Sequence, residues 1–248
     1  MNESLKGKTA LVTGATGGIG SVVCRSLAEA GINVIALDID LAKLETLCNE
    51  LPTKTCSLAV DVSDPKAVQV ECQRAFSEVA PADILVNCAG ILSNNKLAAT
   101  TIEEWHRVMA INVDGCLNTT QQVVPHMQSQ RWGRIINLAS WAWKSGGLTA
   151  GTSYTTSKGA VVSLTFSVAR EYAGDGITAN AIAPCYVMSP MVSEGLTEQQ
   201  RQDLLEQLPV HRFCEPEEIA HAVKFFASPL AGFITGEVLD MNGGLQFD

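Results

Sequence analysis

The amino-acid sequence predicts an α/β fold: a doubly wound parallel β-sheet with helices on both of its faces. Short apolar runs alternate with longer amphipathic stretches along all 248 residues, and this rhythm is typical of parallel strands joined by crossover helices. A glycine-rich turn follows the first apolar run and precedes the first amphipathic stretch, which is the arrangement of Rossmann-type sheets. No linker, repeat or low-complexity tract divides the chain, so we interpret residues 1–248 as a single domain.

The predicted strands are short apolar runs, beginning with Ala10-Leu11-Val12. In chain order they fall near 8–13, 33–37, 55–60, 83–87, 133–139, 177–182 and 236–240. The longer amphipathic stretches between them predict helices near 18–30, 41–50, 65–79, 102–128, 152–173, 197–207 and 216–227. The pair Asp64-Pro65 marks the start of the third helix, because proline suits the first turn and Ser63 or Asp64 can cap it.

Residues 184–200 form the least regular stretch and contain Pro184, Pro190 and Gly195. They follow a predicted strand, at the edge of the sheet where open α/β folds bind their ligands. An irregular segment of about 15 residues in a compact domain is more often functional than incidental. We therefore interpret 184–200 as a loop over a substrate, with a merely long connection as the alternative.

Charge and composition exclude several classes of partner and site. The chain has 17 basic and 26 acidic residues, a formal net charge of -9, and no run of Lys and Arg, so neither nucleic acid nor an anionic membrane is expected to bind. Its eight cysteines form no CxxC motif and do not cluster with the four histidines, so no metal site or disulfide framework is predicted. Residues 1–8 contain no apolar core of signal-peptide length, and no apolar stretch reaches the roughly 18 residues of a membrane span. The expected location is therefore the cytoplasm.

The predicted phosphate-binding turn is segment 13–20, which reads Thr-Gly-Ala-Thr-Gly-Gly-Ile-Gly. Gly14, Gly18 and Gly20 lie where a strand turns sharply into a helix, and the missing side chains let a pyrophosphate approach the free N–H groups of that helix. The spacing is not the GxGxxG fingerprint, and an ordinary strand-to-helix connection is the alternative. The position of the turn favours nucleotide binding, with Thr16 and Ile19 in the same segment.

Asp38 ends the second predicted strand, 18 residues after Gly20. An acid about 20 residues beyond such a turn binds the adenosine ribose in dinucleotide folds. A carboxylate there accepts the 2'-hydroxyl and repels a 2'-phosphate, so the sequence predicts NAD rather than NADP. Asp38 as a simple cap of the next helix is the alternative, and Asp40 is a possible bystander.

Tyr154 and Lys158 stand four residues apart in a predicted helix, which places the phenol and the ammonium on one face of that helix. A cation held there favours the phenolate and prepares the tyrosine for proton transfer. Ser140 lies fourteen residues upstream of the tyrosine, after a predicted strand. An isolated pair of this kind would usually be a solvent-exposed polar pair, but its combination with the serine and the nucleotide turn favours catalysis.

These motifs, taken in order, resemble the short-chain dehydrogenase/reductase family of the compact, nicotinamide-dependent type. The resemblance runs from about residue 8 to residue 244, and the following motifs carry it: TGxxxGxG at 13–20, Asn87-Cys88-Ala89-Gly90, Asn112, Ser140, Tyr154 with Lys158, and 184–189. It implies a small-molecule substrate and a homotetramer packed through the helices near 102–128 and 152–173.

The resemblance also implies residue roles. Tyr154 would be the general base for alcohol oxidation and the general acid for carbonyl reduction, and Lys158 would also bind the nicotinamide ribose. Ser140 would donate a hydrogen bond to the reacting oxygen, and Asn112 would hold a water of a proton relay. The cofactor-binding residues would be Gly14, Thr16, Gly18, Ile19, Gly20, Asp38, Asp61, Val62, Asn87, Ala89, Gly90, Tyr154, Lys158, Pro184, Val187 and Ser189.

Three features depart from the family pattern. Cys88 stands where a second asparagine is common, and we expect it to pack inward. Cys185 stands where a glycine is common, so it either tightens that turn or intrudes on the pocket. The interval from serine to tyrosine is one residue longer than usual, which lengthens the loop at 141–152.

Trp141, Trp143 and Lys144 directly follow the serine, and together with Met188 they are the candidate substrate-pocket residues. An indole can stack on a sugar, and an ammonium can pair with a carboxylate or phosphate; packing against a neighbouring element is the alternative. The favoured reaction is NAD-dependent interconversion of a secondary alcohol and a ketone on a small polyol, sugar acid or hydroxy acid. Reduction of a 3-oxoacyl thioester, which family members more often perform with NADPH, is the close rival, and a non-catalytic nucleotide sensor is the remote one.

Overall fold

Seven parallel strands form one sheet in the order β3-β2-β1-β4-β5-β6-β7. The computed structural model describes residues 5–188 and 197–247. The strands are β1 Thr9–Thr13, β2 Asn33–Asp38, β3 Thr55–Ala59, β4 Ile84–Asn87, β5 Gly133–Leu138, β6 Ile177–Pro184 and β7 Val238–Met241. The strand order reverses between β1 and β4, so the carboxyl ends of these two strands flank the crevice in which such sheets bind ligands.

Helices cover both faces of the sheet. They are α1 Gly20–Glu29, α2 Leu41–Glu50, α3 Pro65–Glu78, α4 Ile102–Met109, α5 Gly115–Gln130, α6 Ala142–Ser145, α7 Thr152–Tyr172, α8 Glu198–Gln207 and α9 Pro216–Ala227. Short 3-10 turns lie at Leu97–Ala99, Ala173–Asp175 and Pro229–Ala231, and a π-helical turn at Ala110–Asp114 joins α4 to α5. Among the described residues, no helix combines the length and apolar character needed to cross a membrane.

Alternate residues along each central strand feed two separate cores. In β1, Ala10 and Val12 pack with the inner faces of α1, α2 and α9, whereas Leu11 points to the opposite face and packs with α3, α5 and α7. This is the period of two that a strand buried on both faces requires. The two cores hold the strand ends, and the loops that follow them, in fixed relative positions.

The predicted fold class is confirmed, and most elements lie within two residues of their predicted bounds. Asp64 rather than Ser63 caps α3, because its side chain accepts the N–H groups of Lys66 and Ala67. The predicted helix over 102–128 is interrupted by the π-helical turn at Ala110–Asp114. The four-residue helix α6 was not predicted.

Candidate active site

The glycine-rich turn brings three parts of the chain into contact at the end of β1. Gly14 has φ +61°, and a Cβ on it would lie 2.8 Å from the main chain of Ala89. A Cβ on Gly20 would lie 2.1 Å from the Gly14 carbonyl oxygen. Only glycine fits both positions, and no side chain caps the first turn of α1. The turn therefore presents main-chain N–H groups at a helix N-terminus, which is a site suited to a phosphate.

Asp38 is held against this turn rather than against the next helix. Its carboxylate accepts the Thr16 N–H at 2.9 Å and the Thr16 hydroxyl at 2.7 Å, together with the Ile39 N–H at 2.7 Å. Asp40 is the cap of α2, through the Lys43 N–H at 3.1 Å. The alternative that Asp38 caps the helix is therefore wrong, and the carboxylate lies beside the glycine-rich turn.

Two further cofactor candidates follow β3. The Asp61 carboxylate is exposed and accepts the Ser63 N–H at 2.9 Å and the Ser63 hydroxyl at 2.7 Å. Val62 is buried, and its carbonyl oxygen accepts the Asn118 amide at 2.9 Å. Gly115 makes room for it, since a Cβ there would lie 2.7 Å from a Val62 methyl group. These contacts fix the end of β3 against the start of α5.

The Asn87 side chain lies inside the fold. It donates to the Asn137 amide oxygen at 2.9 Å and accepts from the Thr119 hydroxyl at 2.7 Å, and Asn137 in turn donates to the Thr165 hydroxyl at 2.9 Å. This buried chain of hydrogen bonds links α5, β4, β5 and α7. Any contact of Asn87 with a nucleotide would therefore use its main chain.

Residues 88–90 carry the chain from β4 past the glycine-rich turn. The Ala89 N–H donates to the Thr13 hydroxyl at 3.0 Å. A Cβ on Gly90 would lie 3.2 Å from the Asn112 side-chain oxygen and 3.5 Å from Lys158 Nζ. Cys88 packs against the core that contains α1, and burial raises the pKa of its thiol to about 12, so the thiol is uncharged.

Tyr154 and Lys158 share one face of α7. Lys158 Nζ lies 5.6 Å from the centre of the Tyr154 ring and donates to the Leu138 carbonyl oxygen at 2.6 Å. The lysine is 5% exposed, whereas Tyr154 is half-buried and reachable by a substrate. A buried ammonium interacts more strongly with a nearby phenolate than a solvated one does, so this geometry suits proton transfer by the tyrosine.

Ser140 is the second residue after β5. Its hydroxyl oxygen accepts the Ala142 N–H at 3.2 Å, at the start of α6. That contact uses a lone pair and leaves the hydroxyl hydrogen available to a reacting oxygen. Helix α6 then directs the chain toward α7, so Ser140 and Tyr154 border the same short loop.

The Asn112 side chain joins three segments of the site. It accepts the Ile91 N–H at 2.8 Å, and it donates to the Ile91 carbonyl at 3.1 Å and to the Ser157 hydroxyl at 2.9 Å. Ser157 donates onward to the Tyr154 carbonyl at 2.7 Å. Asn112 is fully buried, so any water that it holds in a relay would bind its main chain, whose oxygen also accepts the Cys116 thiol at 3.3 Å.

The end of β6 and the segment after it are hydrogen-bonded to neighbouring elements through the main chain. Pro184 accepts the Trp141 N–H at 2.9 Å, and the Cys185 N–H donates to Met241 at 2.9 Å. Val187 is buried and forms an isolated bridge with Cys214. Burial raises the pKa of Cys185 to about 12, which argues against a reactive thiolate. Ser189, with residues 190–196 of the predicted substrate loop, lies outside the described residues.

The candidate pocket residues after Ser140 pack against neighbouring elements, as the alternative interpretation expected. Trp141 is buried and donates from its indole to Gln246 at 2.9 Å. Trp143 packs in the small core that lies between α5, α7 and β6. Lys144 pairs with Asp240 at 2.6 Å. Met188 is 37% exposed and stays available to a substrate.

Four residues near the site were missed by sequence reasoning. Glu104 accepts three side-chain hydrogen bonds from Ser93, Asn95 and Ser153. Lys96 donates to three carbonyl groups of the loop before α7. The Tyr186 hydroxyl lies 3.4 Å from the Thr149 hydroxyl. No local pattern marks these residues, because each partner is distant in sequence. No group of three metal-ligating side chains occurs in the described part of the chain.

Comparison with known proteins agrees with this geometry. A family model described as Enoyl-(Acyl carrier protein) reductase, of the short-chain dehydrogenase type, matches residues 14–246. The 3-oxoacyl-[acyl-carrier-protein] reductase of Thermotoga maritima is 37% identical over 244 residues, covering 97% of this chain and 98% of the relative. Nodulation protein G of Azospirillum brasilense is 38% identical over 249 residues, covering 97% and 98%.

Two solved structures share the whole fold. A 3-oxoacyl-[acyl-carrier protein] reductase from Brucella melitensis has a TM-score of 0.94 and 30% identity, over 99% of this chain and 93% of that one. A structure from Agrobacterium tumefaciens named as a gluconate dehydrogenase has a TM-score of 0.92 and 26% identity, over 97% and 96%. Similarity of this extent shows that the chain belongs to the short-chain dehydrogenase/reductase family of oxidoreductases.

Proposed function

We propose that this protein transfers a hydride between NAD(H) and the carbon of a secondary alcohol or ketone. Of the two candidate substrate classes, 3-oxoacyl thioesters are the one we favour. The observation that carries the proposal is the position of Tyr154 above the buried Lys158, at the same sheet edge as Ser140 and the glycine-rich turn. A phenol, an ammonium and a hydroxyl beside a nucleotide turn are the groups that carbonyl reduction needs.

The residues of the site fit a nicotinamide dinucleotide. Gly14 and Gly20 keep side chains out of the phosphate-binding turn, Asp38 borders that turn, and Gly90 leaves space beside Lys158. When bound, the cofactor supplies or accepts the hydride. These residues would hold its phosphates, its adenosine ribose and its nicotinamide half respectively.

The proton chemistry belongs to this chain. In reduction, Ser140 donates a hydrogen bond to the substrate oxygen as negative charge develops on it, and Tyr154 delivers its phenolic proton to that oxygen. The Lys158 ammonium stabilises the phenolate that remains, because it is buried close to the ring. In oxidation, the phenolate removes the alcohol proton and Ser140 orients the hydroxyl.

The preference for NAD(H) over NADP(H) follows from the charges beside the turn. The Asp38 carboxylate would accept the 2'-hydroxyl of the ribose and repel a 2'-phosphate. A cavity of about 340 Å³ beside Thr16 is also lined by Arg25 and Lys43. These two cations pair with Glu50 at 2.8 Å and with Asp40 at 3.2 Å. Exposed ion pairs of this kind are weak, so the preference for NAD(H) rests on the Asp38 carboxylate.

The substrate class rests on the relatives. The 3-oxoacyl reductases align over nearly their full lengths at 34% to 37% identity, and Nodulation protein G does so at 38%. The second candidate, a small polyol, sugar acid or hydroxy acid, is favoured by Asp38 and by the structure named as a gluconate dehydrogenase. Because the reductases of 3-oxoacyl thioesters match over nearly their full lengths, we rank the thioester first.

The test is binding followed by turnover. NADH and NADPH are titrated separately by nicotinamide fluorescence, and NADH oxidation is then followed with a short 3-oxoacyl thioester. NAD reduction is followed in parallel with polyols and hydroxy acids. Tyr154→Phe should abolish turnover and keep cofactor binding, whereas Tyr172→Phe, the matched control on the same helix, should keep both. Binding without turnover in the wild-type protein, unchanged by Tyr154→Phe, would instead support a nucleotide sensor.

The oligomeric state forms part of the proposal. Ile102 on α4, Leu117 on α5 and Phe166 on α7 are 65%, 41% and 46% exposed, and apolar side chains on the outer faces of helices are suited to subunit contacts. We expect a homotetramer packed through these helices. Light scattering should give about four times the chain mass of 26.4 kDa, and a monomer at micromolar concentration would refute the assembly.

A further inference from the structure

The Lys96 ammonium binds the loop that precedes α7. Its ammonium donates to the carbonyl oxygens of Gly147, Leu148 and Ala150, the last two at 3.2 and 2.7 Å. An ammonium has three N–H donors, and the loop accepts three hydrogen bonds from this one. Charge-assisted bonds of this kind are stronger than neutral ones.

The loop at 146–151 lies between Ser140 and Tyr154 in the sequence. It begins six residues after Ser140 and ends three residues before Tyr154. Gly146 and Gly147 have φ +72° and +74°, and a Cβ on Gly147 would lie 2.2 Å from the Thr155 hydroxyl oxygen. Residues other than glycine adopt such φ values at a cost. The two glycines therefore allow the chain to turn here, and the carbonyl groups that follow the turn bind Lys96.

Two side chains of the same loop are accessible or contact the segment after β6. Leu148 is 61% exposed, and the Thr149 hydroxyl lies 3.4 Å from the Tyr186 hydroxyl on the segment after β6. Tyr186 is supported by Phe213, whose ring centre lies 6.3 Å away at an edge-on angle. The loop therefore contacts the segment that follows β6, at the carboxyl edge of the sheet where such folds bind ligands.

The catalytic tyrosine is anchored separately. The Gly151 N–H donates to Ser93 at 2.7 Å and the Thr152 N–H to Asn95 at 2.9 Å, and Ser153 donates to Glu104 at 2.8 Å. These bonds fix the first turn of α7 without help from Lys96. The loop at 147–150 can therefore change position while Tyr154 stays in place.

We propose that Lys96 is a positioning residue that clamps loop 147–150 and so sets the shape and specificity of the substrate pocket. Loss of the clamp frees Leu148 and Thr149 and weakens binding of the substrate, while cofactor binding and the chemical step are kept. The kinetic part of this inference rests on the proposed function; the structural part does not.

The test compares Lys96→Met with two other variants. Lys96→Arg keeps the charge and most of the donors, and Lys66→Met makes the same charge change at an exposed lysine on α3. Hydrogen exchange of the peptide that spans 146–153 is measured first, because it needs no substrate. Exchange should accelerate on the order of tenfold in Lys96→Met, partly recover in Lys96→Arg and stay unchanged in Lys66→Met.

Steady-state kinetics then separates a specificity role from a merely structural one. In Lys96→Met the KM for the accepted substrate should rise on the order of tenfold, with kcat and the Kd for NADH within about twofold of the wild type. Unchanged exchange overturns the clamp whether or not a substrate is known. Faster exchange with an unchanged KM, or an equal loss in kcat, overturns the specificity role. Wild-type inactivity on every substrate with a normal exchange result would count against the proposed function alone.

Discussion

Replacing Asp38 by asparagine should reverse much of the cofactor preference. The asparagine side chain has the same shape and keeps an acceptor for the two bonds from Thr16, so the turn should stay in place. The negative charge is lost, together with the second oxygen, which accepts the Ile39 N–H. Binding of NADH should weaken, because the ribose hydroxyl would donate to a neutral oxygen instead of a carboxylate.

The magnitude follows from two terms. A hydrogen bond to a charged group is worth about 1 kcal/mol more than a neutral one, which corresponds to about fivefold weaker NADH binding. Two unit charges about 4 Å apart repel by about 1 kcal/mol in water and about 4 kcal/mol near a protein surface. Asp38 is half-buried, and relief of about 1 to 2 kcal/mol would improve NADPH binding by about five- to thirtyfold. Together the affinity ratio should shift on the order of a hundredfold.

The assay is nicotinamide fluorescence titration of both cofactors at two salt concentrations. The NADPH gain should shrink at high salt in comparison with low salt, because screening weakens the repulsion in the wild type. Glu45→Gln is the control, since it removes one negative charge at an exposed position of α2 that does not line the cavity beside Thr16. An equal shift in both variants would refute the local role of Asp38 and leave only the net charge of the protein as the cause.

Three further predictions follow from the same contacts. Gly14→Ala should lower the melting temperature more than Gly146→Ala. Both glycines have positive φ, but only at Gly14 would a Cβ meet neighbouring main chain. Each 1 kcal/mol of lost stability should lower the melting temperature by about 2–4 °C, and equal losses in the two variants would show that the close approach costs nothing. Hydrogen bonds from Ser93, Asn95 and Ser153 lower the pKa of Glu104, so its contribution to stability should be present above the unfolded pKa and be lost as the pH falls through the lower folded pKa. Glu104→Gln should remove that part of the acid dependence of the melting temperature and reduce kcat, and an unchanged acid limb would contradict the assignment. Asn137→Leu should destabilise the fold by roughly 1–3 kcal/mol in urea unfolding, because it leaves the buried Asn87 amide without its partner; a neutral result would show that the buried network relaxes.

The elements of the fold were predictable because burial imposes a period on them. Strands β1 and β2 are buried on both faces and read as apolar runs, and Asp64 with Pro65 marks a helix start in the sequence itself. The π-helical turn around Asn112 was not predictable, since it accompanies bonds from that side chain to Ile91, 21 residues away. Helix α6 is too short to show a period.

The positions of the proposed catalytic residues were predictable for a related reason. Tyr154 and Lys158 lie on one helix, and Ser140 follows a strand, so local geometry places each of them. The direction of a side chain in a loop has no such local cause. Trp141 and Trp143 follow the serine directly, yet the fold turns them toward Gln246 and toward the core beside α7. Adjacency in sequence to a catalytic residue is therefore weak evidence for contact with substrate.

The two halves of the site are held by different kinds of interaction, and this has consequences for specificity. The nucleotide half consists of strand ends and close main-chain contacts, such as that between Gly14 and Ala89, and few substitutions fit there. The substrate half consists of loops held by individual side chains, such as Lys96 on 147–150. One substitution can move such a loop without disturbing the sheet. Proteins that share this sheet can therefore keep the hydride chemistry and differ in substrate, and we expect substitutions in loops 147–150 and 184–188 to change the substrate preference of this protein more than substitutions elsewhere.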